Sequence, residues 1–345
     1  MNSSSSSSSS QQTVGVNIPL VRFCCDVVLS FPLAVLGIFG NSLLHVVLRR
    51  HHTRFATDVL LHVLTFTDTM ILISSVLLRS MRHVGWQAYD DAYCYIFVSL
   101  YPTVYVFRLV DIWITVIVVI ERYVAVMSPE HTVRLDTPPR VYVIIGVTVV
   151  CAIVFSVPRF LEFSLTEVEP TARPGFKPTA LALNKTYTVV YKIFIFSIVM
   201  YVVPMALLIG FNVKLFLAVN HAVHEMSAIP GRYARGLDTV ISCRQVTYIV
   251  LVFASCCITC NVVAMTAQVV WTLTMCFDKL RHLDTIRRIL ANVSNVFVTC
   301  NSTSNVLILL SLSRKFRDGI CQTFSCRMMS SHTNHNAIVM EPLNL

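Results

Sequence analysis

Seven long apolar segments, separated by short charged or turn-forming stretches, constrain this chain more than any other feature of its sequence. A helix needs about 20 mostly apolar residues to cross the hydrocarbon core of a membrane. Membrane-spanning strands are excluded, because an open sheet in lipid leaves backbone groups without hydrogen bonds. The predicted spans are residues 27–48, 59–78, 96–127, 141–158, 189–219, 246–275 and 289–312. The predicted fold is therefore all-α, a seven-transmembrane helix bundle whose third, fifth and sixth helices are long enough to tilt or project.

The composition agrees with a lipid environment and argues against several soluble functions. Only 13% of the residues are charged and 55% are hydrophobic, whereas a soluble domain carries charge on about a quarter of its residues. The net charge of +9 comes from basic residues scattered among the loops, which argues against a nucleic-acid partner. The 12 cysteines lie mostly inside apolar segments, where thiols behave as small hydrophobic groups rather than as a zinc site or a disulfide framework.

The segments outside the seven spans have distinct compositions. Residues 1–26 contain a run of serines and are expected to form a disordered extracellular N-terminus. Residues 313–326 carry Phe316, Ile320 and Phe324 at four-residue spacing between basic residues, which predicts a short amphipathic eighth helix on the inner membrane surface. Cys321 and Cys326 are candidate palmitoylation sites on that helix; an ordinary tail with unmodified thiols is the alternative. Residues 327–345 are expected to be a disordered cytoplasmic tail.

The odd number of spans places the two termini on opposite sides of the membrane. Basic residues are nearly balanced between the two sides, so their distribution gives a weak signal. The glycosylation sequons at Asn2 and Asn184 both face outwards if the N-terminus is extracellular, although sequons also occur by chance. We therefore expect a multi-pass glycoprotein of the plasma membrane, in contact with membrane lipid, whose N-terminus is extracellular.

Ionisable residues inside the predicted spans are costly, so they are candidates for functional roles. Arg108 and Asp111 are three residues apart on one helical face, and they are interpreted either as a self-neutralising ion pair or as functional groups. Asp68 and Asp111 are expected to face each other across the bundle and either to share a proton or to hold a cation, with sodium as the candidate. Further oxygen ligands for such an intramembrane polar pocket are expected from Asn41, Asn301, Ser302 and Asn305. A dry hydrogen-bonded network is the alternative, and no other cofactor is predicted.

The inner end of the third span carries Glu121, Arg122 and Tyr123. An arginine beside a glutamate at the membrane boundary is interpreted as a charge latch that opens towards a cytoplasmic partner.

Three other classes of seven-span or intramembrane protein are not favoured. A retinal pump needs a lysine in its last span, and residues 289–312 contain none. A secondary transporter is expected to show internal repeats and interrupted helices, which the sequence lacks. No nucleophile, base or metal-ligand set has the spacing of an intramembrane hydrolase, so the chain is not expected to be an enzyme.

Several of these motifs resemble those of one receptor superfamily. They are Gly40-Asn41 in the first span, Leu64 and Asp68 in the second, Glu121-Arg122-Tyr123 in the third, Pro204 in the fifth and Lys315-Phe316-Arg317 after the seventh. With them the chain resembles rhodopsin-like G-protein-coupled receptors over residues 27–324. A second set resembles the invertebrate FMRFamide-receptor-like neuropeptide receptors, namely Tyr101-Pro102, Pro158-Arg159-Phe160-Leu161-Glu162, Tyr201-Val202-Val203-Pro204 and Asn301-Ser302-Thr303-Ser304-Asn305.

The resemblance implies an extracellular ligand, a short and amidated neuropeptide, and a heterotrimeric G protein as the partner. The ligand is expected to enter between the outer ends of the third to seventh helices. Tyr101, Tyr105, Arg108 and Glu162 are the predicted contacts, with Glu162 facing a basic peptide residue and Arg108 a carboxylate or carbonyl. Simple packing is the alternative role of the tyrosines.

The chain also departs from the family pattern. The seventh-span N-P-x-x-Y motif reads Asn305-Val306-Leu307-Ile308-Leu309, and the usual proline of the sixth span is absent. Residues 159–188 contain no cysteine to pair with Cys94. A receptor for a small molecule or a pheromone therefore remains an alternative, as does an atypical or silent receptor-like protein that acts with another receptor.

Overall fold

The computed structural model describes residues 17–50, 56–127, 138–166, 175–227, 233–277, 280, 283–312 and 317–320. Within these residues, seven helices are long and apolar enough to cross a membrane, which confirms the predicted seven-helix bundle. We number them α1 to α7 in chain order. Their bounds are Ile18–Arg50, Ala56–His83, Gln87–Met127, Pro138–Phe160, Lys185–Ser227, Tyr233–Cys276 and Asp284–Leu312.

Three of the helices contain wider or tighter turns within these bounds. π-Helical stretches lie in α1 at Cys24–Leu29, in α2 at Val76–Ser80, and in α5 at Thr188–Ile195 and Ile198–Val202. A 3₁₀ turn at Met81–His83 ends α2. By contrast, α6 is an uninterrupted α-helix of 44 residues.

The prediction that residues 1–26 are disordered is wrong at its C-terminal end, because α1 begins at Ile18. The side chain of Asn17 accepts a hydrogen bond from the backbone N–H of Leu20 at 3.2 Å, and a proline lies in the first turn. An asparagine cap and an early proline are ordinary signals for the start of a helix. The predicted boundary followed hydropathy alone and therefore began too late.

We call the face of the bundle at which α1, α3, α5 and α7 begin the upper face, and the opposite one the lower face. At the upper face, strand β1 (Phe163–Leu165) pairs antiparallel with strand β2 (Phe176–Pro178). A one-turn helix, Ala180–Leu183, follows, and the side chain of Thr179 caps it. The all-α prediction did not include this hairpin, because three-residue strands are too short to show an alternating pattern.

Helix α3 lies at the centre of the bundle, and its middle is buried on all sides. The side chain of Ile114 has no exposed surface, and its neighbours pack against apolar side chains of α2, α5 and α6. A helix that is apolar all round is expected where other helices surround it. The polar residues of α3 are therefore held at fixed positions inside the bundle.

Helix α4 lies at the periphery and presents an apolar face to the surroundings. Val143, Val147, Val150 and Val154 follow a helical spacing and are each 58–65% exposed. Such a stripe is unfavourable in water and favourable in hydrocarbon.

Helices α1 and α7 approach each other closely at two glycines. A Cβ atom at Gly40 would lie 2.6 Å from a methyl group of Val306, and one at Gly37 would lie 2.5 Å from the hydroxyl of Thr303. Small residues permit such approaches between membrane helices. This contact brings Asn41 of α1 next to the polar residues of α7.

Of the predicted eighth helix, residues 317–320 are described, and they are helical. The guanidinium of Arg317 donates hydrogen bonds to the carbonyl oxygens of Leu310 and Ser311, at 3.2 and 2.8 Å, and so caps the end of α7. Ile320 packs against an apolar cluster that includes Leu44 and Leu309. Phe316, Phe324 and the candidate palmitoylation sites Cys321 and Cys326 lie outside the described residues.

Candidate functional site

A cavity of about 450 Å³ opens at the upper face among α1, α2, α3 and α7. Its size lies in the range of pockets that hold small ligands. Tyr101, Tyr105 and Arg108 line it, so the structure brings these three predicted residues together. The ligand was expected among the outer ends of the third to seventh helices, whereas this cavity is lined by α1 and α2 together with α3 and α7, and none of its lining residues comes from α4, α5 or α6.

Aromatic rings form the α3 side of this cavity and continue into the hairpin. The ring of Phe97 stacks on Phe176 of β2, with centroids 4.3 Å apart, and on Tyr101 at 5.0 Å. The hydroxyl of Tyr105 donates a hydrogen bond to the hydroxyl of Tyr101 at 3.2 Å. Tyr101 and Tyr105 therefore both line the cavity and pack against neighbouring rings.

Arginines dominate the charge of the cavity. Its lining includes six arginines and a single acidic residue, Asp26. Asp26 is buried and lies 3.4 Å from Nε of Arg22 and 3.5 Å from Nε2 of His83. The six arginines are Arg22, Arg79, Arg82, Arg108, Arg287 and Arg288. Sequence reasoning found only Arg108, since the others lie at helix ends where basic residues are common.

Glu162 does not line the cavity, which corrects its predicted role as a contact for a basic ligand. Its side chain is fully buried, and its carboxylate lies 3.3 Å from Nη1 of Arg159 and 3.0 Å from Nζ of Lys192. The hydroxyl of Tyr187 donates a further hydrogen bond to it at 2.9 Å. The carboxylate is neutralised inside the protein, where it joins the end of α4 to the start of α5.

Arg159 connects this ionic cluster to the aromatic wall. Its guanidinium carbon lies 4.5 Å from the ring centroids of both Tyr105 and Phe196, in cation–π geometry. Sequence reasoning missed this role, and the missed role of Lys192, because both residues lie near span ends. The spacing of three between Arg159 and Glu162 was the one available signal.

Arg108 and Asp111 do not form the predicted ion pair, although both lie in the interior. Nη2 of Arg108 lies 3.4 Å from the hydroxyl oxygen of Tyr201 on α5. Asp111 instead accepts a hydrogen bond from the hydroxyl of Thr67 on α2, at 3.5 Å. Arg108 and Asp111 share one face of α3, but Arg108 is bonded to α5 and Asp111 to α2.

Below Arg108, the predicted polar pocket has assembled. Nδ2 of Asn305 donates to the carboxylate of Asp68 at 2.5 Å, and Nδ2 of Asn41 donates to the carbonyl oxygen of Ser302 at 3.0 Å. A small cavity nearby is lined by Arg108, Asp111, Asn301 and Ser302, among others. One carboxylate oxygen of Asp68 and the amide oxygen of Asn41 are buried without a hydrogen-bond partner. Oxygens of this kind suit a hard cation, and the described residues hold no cluster of three histidine, cysteine or acidic metal ligands.

At the lower end of α3, Glu121 and Arg122 form a two-point ion pair. Nε and Nη2 of Arg122 lie 2.7 and 2.8 Å from the two carboxylate oxygens of Glu121. Tyr123 packs edge-on against Phe211 of α5, with centroids 5.6 Å apart. A planar bidentate pair is among the stronger charged contacts that a protein makes.

Of the two predicted glycosylation sites, Asn2 lies outside the described residues, and Asn184 is exposed at the upper face. The side-chain oxygen of Asn184 accepts a hydrogen bond from the backbone N–H of Tyr187 at 3.1 Å, which caps the start of α5.

Comparison with known proteins identifies relatives across most of the chain. The FMRFamide receptor of Drosophila melanogaster is 27% identical over 321 residues, 89% of this chain and 54% of the relative. The FMRFamide peptide receptor frpr-18 of Caenorhabditis elegans is 24% identical over 317 residues, 89% of this chain and 71% of the relative. The neuromedin-U receptor 2 of Mus musculus is 24% identical over 317 residues, 87% of this chain and 75% of the relative. The chain thus spans about half the length of the Drosophila relative.

Residues 40–309 match the family described as 7 transmembrane receptor (rhodopsin family). This match covers all seven helices at least in part, the polar pocket and the Glu121–Arg122 pair, in agreement with the resemblance predicted from the motifs. The chain is therefore a multi-pass membrane protein that belongs to the rhodopsin family of seven-transmembrane receptors.

Proposed function

We propose that this chain is a plasma-membrane receptor that binds a short extracellular peptide at its upper face and activates a heterotrimeric G protein at its lower face. The names of the Drosophila and C. elegans relatives support a peptide of this kind. The observation that carries the proposal is that α3 contributes residues to a ligand-sized cavity near one end and the Glu121–Arg122 pair at the other. In this orientation the N-terminus and Asn184 are extracellular.

The mechanism follows from the difference between two arrangements of one bundle. A peptide shifts the equilibrium only by the difference between its affinities for the two arrangements. In the structure the guanidinium of Arg122 is occupied by Glu121, which corresponds to a closed latch. A G protein that binds the opened lower face must in turn raise the affinity for the peptide, because coupling between two sites is reciprocal.

The polar pocket between the two sites is proposed to hold a sodium ion near Asp68 and Asp111. The unpartnered oxygens of Asp68 and Asn41 support this proposal, since both are buried and neither donates a proton as carboxylate or carbonyl. The chemistry that the ion supplies is neutralisation of the buried carboxylates.

We infer a receptor rather than an enzyme, and two alternatives to the peptide receptor are testable. A small-molecule ligand fits the same cavity volume. A silent receptor-like protein is suggested by Val306 and Leu309, which stand where the family has a proline and a tyrosine.

A G-protein dissociation assay in cells that express the full chain, with and without a panel of short peptides, tests the proposal. The variant Glu121→Gln removes one partner of the latch, and charged hydrogen bonds contribute about 1.5–3 kcal/mol. We therefore expect basal G-protein activation to rise roughly tenfold or more, whereas Arg122→Ala should abolish activation.

The conservative variant Arg122→Lys keeps the charge and loses the two-point geometry, so it should fall between these results. Wild-type chain that reaches the cell surface and activates no G protein with any peptide, together with a silent Glu121→Gln variant, would contradict the proposal and favour the silent receptor-like protein.

A further inference from the structure

We propose that the ligand of this receptor is a peptide that presents an anionic group to Arg79 and Arg108, and this inference rests on the proposed function. The group is a carboxylate, a sulfate or a phosphate, from an acidic or modified side chain or from a free C-terminus. The proposal depends on the charges that line the cavity and on which of them already have partners.

Three of the six cavity arginines pair with carboxylates, and a fourth, Arg82, is exposed and can be solvated. Arg22 contacts Asp26, and Arg82 lies over the ring of Tyr93, 4.5 Å from its centroid. Arg287 and Arg288 form ion pairs with Asp284 at 2.5 and 2.9 Å. These four have limited need of a ligand anion.

Arg79 differs from them, because it is partly buried and no carboxylate of the described residues lies within ion-pair distance of its guanidinium. It donates a hydrogen bond to the hydroxyl of Ser75, one turn earlier on α2. Its Nε atom is buried and has no hydrogen-bond partner. A buried guanidinium N–H that lacks an acceptor is costly, and an anion in the cavity would remove that cost.

Arg108 is the second such cation, and it faces the same cavity from α3. Its guanidinium donates a hydrogen bond to the neutral hydroxyl of Tyr201. Asp111 lies one turn deeper on the same helix and is hydrogen-bonded to Thr67, so it offsets the charge of Arg108 only at longer range.

Two guanidiniums that share one cavity inside a membrane bundle repel each other more strongly than they would in water, because the surroundings have a low dielectric constant. An anion relieves this repulsion and accepts planar, two-point hydrogen bonds, which are the strongest that arginine makes. The pair therefore selects for negative charge in the ligand.

A purely cationic peptide finds little in this cavity. The name FMRFamide spells Phe-Met-Arg-Phe-amide, which carries an arginine and no carboxylate. Among the residues described around the cavity, its arginine could pair only with Asp26, which Arg22 and His83 already flank. Glu162, the other acidic residue near the aromatic wall, is enclosed by Arg159 and Lys192.

The experiment uses the purified full chain in detergent and three matched probe peptides, Phe-Met-Glu-Phe-amide, Phe-Met-Gln-Phe-amide and Phe-Met-Arg-Phe-amide. Binding is measured by thermal stabilisation and by direct titration. We expect the glutamate peptide to bind at least about tenfold more tightly than the glutamine peptide, because one charged hydrogen bond contributes an affinity difference of that size. This preference should disappear in Arg79→Gln and in Arg108→Gln.

Two variants control for folding and for nonspecific charge. Arg288→Gln removes a cavity arginine that already has a carboxylate partner, so the preference for the glutamate peptide should persist. Arg79→Lys keeps the charge without the planar fork and should retain part of the preference. The peptide Phe-Met-Gln-Phe with a free C-terminal carboxylate presents the anion from a different position. It should also bind more tightly than Phe-Met-Gln-Phe-amide.

The outcomes separate this inference from the proposed function. If the acidic peptides bind in a way that requires Arg79 and Arg108 but activate no G protein in cells, the inference is supported and the proposed function is contradicted. Activation by the arginine peptide with affinity unchanged in Arg79→Gln and Arg108→Gln contradicts the inference and supports the proposed function. If no anionic probe binds the wild-type chain more tightly than its neutral counterpart, the inference is overturned.

Discussion

Two charged clusters lie near the upper face of this bundle, and they differ in how their charge is neutralised. In the Glu162 cluster, one buried carboxylate faces Arg159 and Lys192 and accepts a further hydrogen bond from Tyr187. In the cavity, Arg79 and Arg108 have hydroxyl partners and no carboxylate within ion-pair distance among the described residues. The carboxylate of the first cluster has two cationic partners within the protein, whereas Arg79 and Arg108 of the second have no carboxylate partner among the described residues.

This difference separates structural charge from charge available to a ligand. A buried carboxylate that is paired with cations inside the protein is compensated, and loss of one partner is strongly destabilising. Cations without a counter-ion instead reduce stability until an anion binds, which is the usual trade-off at a binding site. The position of a charged residue in a membrane span therefore does not reveal its role; its partners do.

The largest effect is expected for Glu162→Gln, which leaves the buried Arg159 and Lys192 without a carboxylate. Breaking a buried ion pair on one side costs about 3–5 kcal/mol. We expect a large fall in melting temperature in detergent and a loss of chain at the cell surface. The double variant Glu162→Gln with Lys192→Met removes a cation as well and should recover part of the loss. A stable Glu162→Gln single variant would show that this cluster is not structural.

A smaller effect is expected at Asp68, which resembles both clusters. One of its oxygens accepts a hydrogen bond from Asn305, whereas the other is buried without a partner. Replacing potassium by sodium in the buffer should stabilise the wild-type chain by about 1.4 kcal/mol at ten times the dissociation constant. The variant Asp68→Asn should lose this response. An equal response of both proteins to sodium would argue for a dry hydrogen-bond network instead.

The smallest effect on stability is expected for Arg79→Gln, and its sign is opposite to that of Glu162→Gln. Removing one of two like charges should leave the melting temperature of the peptide-free chain unchanged or raise it, by no more than about 1 kcal/mol of unfolding free energy. Arg288→Gln, at an exposed ion pair, is the matched control and should change little. A large loss of stability in Arg79→Gln would show that Arg79 has a structural role like that of the Glu162 cluster, and the two clusters would then not differ.

Much of the fold was predictable because the hydropathy of each segment can be read from consecutive residues. All seven spans were identified, although α1 begins at Ile18 rather than at residue 27 and the hairpin of β1 and β2 was missed. Asn17 and the neighbouring proline were local signals that a reading by hydropathy alone did not use. The polar pocket was also predictable, because Asn41, Asp68, Ser302 and Asn305 are too costly in lipid to face outwards.

The candidate site was predicted only in part, because a site depends on contacts between helices. Tyr101, Tyr105 and Arg108 line the cavity as expected, but Glu162 is enclosed by Lys192, which lies 30 positions further along the chain. Arg79 was missed, since a basic residue near a helix end is usually interpreted as an interfacial anchor.

The sequence by itself determined that this chain is a membrane bundle of seven helices with costly polar groups inside it, because burial in lipid is a property of each segment. Only the tertiary structure decided which of those groups neutralise one another, because a carboxylate such as Glu162, just after α4, is paired with Lys192 on α5. The distinction between a closed ionic cluster and an open arginine pair is therefore a matter of packing geometry, which no local pattern encodes.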